Sequence, residues 1–93
     1  MGILQELTRV LLNFIDEIED EEFRQKIKHD FFAELEPFIP LIPEAYLEAL
    51  KKTKFSEIRK LLETKCKSKA RIISEEKRWG FLEKGFERFK KKL

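Results

Sequence analysis

Ile3-Leu4-Gln5-Glu6-Leu7-Thr8-Arg9-Val10-Leu11-Leu12-Asn13-Phe14-Ile15-Asp16-Glu17-Ile18-Glu19 decides what kind of fold this chain can make. Leu4, Leu7, Leu11, Phe14 and Ile18 recur at spacings of three and four, and Ile3, Val10 and Ile15 widen the stripe. A stripe of that period is one face of an α-helix, because 3.6 residues complete a turn. Elsewhere no β-branched run alternates with polar residues, and no Asn-Gly, Asp-Gly or Gly-Gly pair marks a hairpin. The expectation is an all-α fold.

Working outward, the acids from Asp16 to Glu22 form a link, with Asp20 placed to cap a second helix running to about Glu36. Phe23, Ile27, Phe31 and Leu35 would share its apolar face, with Phe32 beside them. Glu36-Pro37-Phe38-Ile39-Pro40-Leu41-Ile42-Pro43-Glu44-Ala45 then stops it. Each proline fixes its own φ and biases the residue before it, so three prolines three apart favour polyproline II. Pro43 can open a third helix to about Lys52, presenting Tyr46, Leu47 and Leu50. Phe55, Ile58, Leu61 and Leu62 mark a fourth over about 54–66, with only Thr53 to break it from the third. Lys65 to Arg71 is basic and weakly periodic, a connection. Ser74 is placed to cap a last helix whose stripe is Trp79, Leu82, Phe86, Phe89 and Leu93. Gly80 and Gly85 each cost that helix about 1 kcal/mol relative to Ala, which calls for close packing there or for docking. Residues 1–93 are expected to form a single domain, a small bundle of four or five short helices with a proline-rich connector.

Ninety-three residues lie near the size at which one core suffices without staples. Nine of the eleven aromatic residues are Phe, which buries area without a polar atom to satisfy. The single cysteine, Cys66, excludes an intramolecular disulfide, and the single histidine, His29, excludes a Cys/His zinc cluster. Charged residues make up 41%, mostly Lys and Glu, and Asn13, Gln5 and Gln25 are the only amides. That thermophile-like bias is the one hyperthermophile proteins show. The apolar start is interrupted by Glu6 and Arg9, unlike a secretory signal, and Glu6 stands where myristoylation of Gly2 wants Ser or Thr. A cytoplasmic location is expected.

Charge is sorted along the chain. Residues 1–50 hold four bases against twelve acids, a balance of −8, while residues 51–93 hold sixteen bases against six acids, a balance of +10. The whole-chain +2 conceals this charge-asymmetric arrangement. The protein either presents two opposed fields or folds its halves onto one another, and both suit a protein that holds partners.

The basic tract Lys51, Lys52, Lys54, Arg59, Lys60, Lys65, Lys67, Lys69 and Arg71 can follow a phosphate backbone, since clustered positive charge releases counterions whatever the sequence bound. A solvated helix face balanced by the acidic half accounts for it equally well, and no nucleic-acid-binding motif accompanies it. The acids Asp16, Glu17, Glu19, Asp20, Glu21 and Glu22 lack the glycine-turn spacing of a calcium loop and the Glu-x-x-His pairs of a di-iron bundle. Capping and helix-dipole effects explain them. Cys66 and His29 have no third group to orient them as nucleophile and base, so no enzyme activity, cofactor or metal is expected. The prolines at 37, 40 and 43 have the spacing of a groove-binding ligand, but both flanks are Glu. The simpler expectation is that Phe38, Ile39, Leu41 and Ile42 plug the domain's own core.

Gln25-Lys26-Ile27-Lys28-His29-Asp30-Phe31-Phe32 resembles the short peptide that docks on replication sliding clamps, with Gln25, Phe31 and Phe32 matching and Lys28 in the aliphatic position. Phe31 also falls on the helix stripe, where it should be core. The last helix is amphipathic, but Glu75, Glu76, Glu83 and Glu87 interrupt its basic face, so no membrane partner is expected.

The function that fits is a small non-catalytic accessory subunit of a cytosolic complex, acting in protein binding. Trp79, Phe86 and Phe89, with Phe38 and Leu41, are the expected apolar anchors, and the charged halves would steer encounter. A homo-oligomer joined head to tail by opposite charge is a further possibility. The alternative is non-specific nucleic-acid binding through Lys51, Lys52, Lys54, Lys65, Lys67, Lys69 and Arg71, within a replication, repair or RNA-processing assembly.

Overall fold

The computed structural model describes residues 3–75 and 78–93; of Ile3, Leu4, Leu7 and Val10 in the opening stripe it describes the backbone alone. Glu76 and the Gly2 context weighed above lie outside the described residues. Six α-helices and one 3-10 helix follow in order: α1 Ile3–Asp16, α2 Asp20–His29, the 3-10 helix Phe31–Leu41, α3 Glu44–Lys52, α4 Phe55–Lys65, α5 Lys67–Glu75 and α6 Trp79–Lys91. The described residues contain no strand. The chain is all-helical, and it has more pieces than the four or five expected.

Three differences account for the extra pieces. First, α2 ends at His29, because Asp30 takes a left-handed conformation at φ 84° that no α-helix continues through. Second, the prolines do not make a polyproline connector. Residues 31–41 wind as a 3-10 helix, whose φ near −60° suits proline and whose period of three equals the proline spacing. Third, Lys65 to Arg71 is no open connection: α5 starts at Lys67, with Cys66 alone between it and the end of α4. Ser74 consequently lies inside α5 and caps nothing; its Oγ accepts a hydrogen bond from the Trp79 indole at 3.2 Å. Asp20 is likewise the first residue of α2 and makes no cap bond.

The break at Thr53 is built carefully. Its hydroxyl donates to the Ala49 carbonyl at 2.8 Å, its N–H to Leu50 at 3.1 Å, and its own carbonyl accepts from Lys90 at 2.8 Å. A buried polar residue is tolerable only when satisfied in this way.

One core runs through both halves of the chain. Phe23, Phe31 and Phe32 stack edge to face at 5.6 and 5.4 Å, and Phe32 continues to Phe86 at 5.4 Å and Phe89 at 5.9 Å. Ile15 and Ile18 from the α1 region and Ile58, Leu62 and Ile73 from α4 and α5 complete it. The charge polarity resolves with this packing. Asp20 pairs with Lys69 at 2.8 Å, Asp30 with Arg88 at 2.8 Å and Glu36 with Lys92 at 2.9 Å, each joining the acidic half to the basic half. The halves fold onto one another.

Candidate protein-docking groove

A helix of three residues per turn aligns every third side chain. Phe32, Leu35, Phe38 and Leu41 therefore form one row along the 3-10 helix, and all four line a single groove of about 360 Å³. Phe86 and Phe89 of α6 supply its floor beside Phe32. Leu11 and Phe14 of α1, Ile42 and Pro43, and Tyr46 and Leu50 of α3 complete the lining. None of these residues is charged, and the Tyr46 hydroxyl is the sole polar side-chain group among them.

The last two members of the row do not bury. Phe38 is 50% exposed and Leu41 is 76% exposed, while Ile39 and Ile42 tuck partly under. The expectation that all four apolar residues of the proline segment plug the core is thus corrected for Phe38 and Leu41. The 3-10 turn places them in the row that faces the groove, and there is not enough surrounding surface to cover them. Phe38 does meet Phe14 edge to face at 6.5 Å, which holds the ridge upright.

Two ion pairs lie beside the lining. Lys26 is 6.0 Å over the Phe14 ring and 4.0 Å from Glu34; Lys92, three residues past Phe89, holds Glu36.

Four of the five residues read as anchors meet here: Phe38, Leu41, Phe86 and Phe89. Their roles divide, with Phe86 and Phe89 buried as floor and Phe38 and Leu41 exposed as ridge. Trp79 lies elsewhere, half-buried against Phe55 at 6.3 Å with the Arg59 guanidinium 4.7 Å over its ring. Leu11, Leu35, Ile42 and Tyr46 were not in the anchor set; reading residues 32–41 at a period of three would have found Leu35.

The basic tract is less uniform than its sequence. Lys69 is buried, with its ammonium donating to the Ile18 carbonyl and to Asp20. Lys51 pairs with Glu48 and Arg71 with Glu75, while Lys52, Lys54, Lys65 and Lys67 are exposed around the α3–α4 and α4–α5 junctions. The hydrogen bond from Lys69, and then its charge, hold the Asp20 carboxyl below its ordinary pKa.

The Cys66 thiol is buried and donates to Asp16 at 3.2 Å. Burial first, and then that carboxylate, push its pKa up to about 11, the opposite of what a nucleophile needs. His29 is exposed at the end of α2. Gln25 of the clamp-like octapeptide is exposed, but Phe31 and Phe32 are core. Among the described residues no group of three or more His, Cys, Asp or Glu could hold a metal ion, and no helix is long and apolar enough to cross a membrane.

No family model matches this chain, and neither does any curated protein or solved structure.

Proposed function

We propose that this protein is a non-catalytic interaction subunit of a cytosolic assembly, and that its contact surface is the apolar groove. The supporting observation is the convergence of Phe38 and Leu41, exposed, with Phe86 and Phe89, buried, around one uncharged hollow. Solvated large apolar side chains beside an open trough are a liability unless something covers them. An exposed ridge next to a preformed hollow also costs little ordering on binding. Phe81 is 54% exposed as well, but it stands as a single residue, and isolated apolar residues are ordinary on surfaces.

The second reading, non-specific nucleic-acid binding, draws its support from the exposed Lys52, Lys54, Lys65 and Lys67. It is the weaker one, since Lys69 is buried in an internal ion pair and Lys51 and Arg71 are held by acids on their own helices.

Affinity purification with three forms of the chain separates the two: wild type, Leu41→Lys, and a form with Lys52, Lys54, Lys65 and Lys67 changed to Ser. A protein partner kept by wild type and the serine form but lost by Leu41→Lys supports the groove. A partner kept by Leu41→Lys contradicts it. Nucleic acid retained by wild type and lost only by the serine form favours the second reading.

A further inference from the structure

We infer that the occupant of the groove is a second copy of this chain, in a two-fold dimer where the Phe38–Leu41 ridge of each copy enters the trough of the other. The inference rests on the groove being the contact surface.

A two-fold interface brings the same patch together twice, so one patch must carry both a hollow and what fills it. This face does. Its hollow is floored by buried Phe32, Phe86 and Phe89, and its filler, Phe38 and Leu41, stands exposed along the same hollow's edge. An arbitrary binding groove has no need of its own projecting ridge.

The charges at the edges favour the same occupant. Lys26 with Glu34 flanks the side at Phe14, and Lys92 with Glu36 flanks the side at Phe89. Each pair is neutral, so at these two places a second copy meets no like-charge repulsion.

A second depression, by Leu12 and Leu61, holds only about 10 Å³, too little for a side chain. The groove, at about 360 Å³, has room for the ridge of a second copy.

Sedimentation equilibrium of the full chain, from low to high micromolar at low and high salt, tests this. The expected result is a shift from 11.2 kDa toward twice that mass as concentration rises, undiminished by salt because the contact is apolar. Leu41→Lys should weaken dimerisation at least about thirtyfold, the loss of a central contact residue. Leu41→Met should retain it. The helical signal and melting of Leu41→Lys, taken at dilution where wild type is also monomeric, should be unchanged.

A wild-type chain that stays monomeric throughout overturns the dimer, and so does association that dissolves in salt and survives Leu41→Lys. The dye 1-anilinonaphthalene-8-sulfonate then tells the two levels apart. A monomer that binds the dye in wild type and not in Leu41→Lys loses the dimer alone, and the groove as a docking surface stands. A monomer that binds none loses both.

Discussion

The Asp30 carboxylate occupies the space that a side chain at Gly85 would need. A Cβ built on Gly85 would lie 2.5 Å from Asp30 Oδ1 and 3.3 Å from Phe32 Cδ2. That proximity lets α6 press against the start of the 3-10 helix, and so it sets the floor of the groove. The glycine is required by close approach, since no glycine in the described residues has a positive φ.

Gly80, five residues earlier on the same helix, meets nothing within 4 Å. The two glycines should therefore respond oppositely to alanine. Gly80→Ala should stabilise by about 0.5–1 kcal/mol through helix propensity and a less flexible unfolded chain. Gly85→Ala should destabilise by about 1–2 kcal/mol, because displacing the short Asp30 side chain breaks its pairing with Arg88 and outweighs the propensity gain. Thermal melts of both variants check the signs; two stabilised variants would mean that α6 stands off from Asp30.

Lys69 fastens the end of the α1 segment to α2 and α5 by donating to the Ile18 carbonyl and Asp20. Lys69→Met keeps the stem's volume and leaves that carbonyl unpaired, so a loss of about 1–3 kcal/mol in denaturant unfolding is expected. The pH dependence follows from Asp20, whose pKa is lower folded than unfolded. Its contribution is complete above the ordinary carboxylate value of about 4 and disappears as pH falls through the folded value. The acid limb of the stability curve should shrink in Asp20→Asn and in Lys69→Met alike, and an unchanged limb would show that the pair contributes nothing.

Cys66 should be a reporter of opening. With its pKa pushed up to about 11, its thiolate fraction at pH 8 is two orders of magnitude or more below that of a free thiol, and the sulfur is buried. Iodoacetamide should label the native chain at least about a hundredfold more slowly than the unfolded chain. Equal rates would place Cys66 at the surface.

Phe86 and Leu41 line one groove and should part company in stability. Phe86 is 1% exposed, and Phe86→Ala should cost about 3–5 kcal/mol. Leu41 is mostly solvated, and Leu41→Ser should stay within about 0.5 kcal/mol of wild type. Denaturant titration in the monomeric range distinguishes them; a large loss at Leu41 would make the ridge part of the core.

How much of this was readable beforehand depended on which period the residues obeyed. Phe23, Ile27, Phe86 and Phe89 follow the α-helical period, and their burial could be read directly. The row Phe32, Leu35, Phe38 and Leu41 follows a period of three, which proline spacing reveals but which polyproline II and 3-10 helices share. Local sequence does not choose between those two; packing of Phe32 against Phe86 and Phe89 does. The turn at Asp30 was hidden for a related reason. A positive φ at a non-glycine residue is set by tertiary context, and the Asp30 carboxylate here meets Arg88, fifty-eight positions along the sequence. Lys69 stood in an unbroken basic tract, and only the fold separates the one buried amine from its solvated neighbours.

The most direct test of the groove as the surface through which two copies of this chain meet is amide NMR of the full chain, recorded from dilute to concentrated solution. The account predicts concentration-dependent shifts confined to residues around Phe14, Leu35, Phe38, Leu41 and Tyr46, absent in Leu41→Lys. Shifts centred on Lys52, Lys54, Lys65 and Lys67, or a spectrum that does not change with concentration, would contradict it.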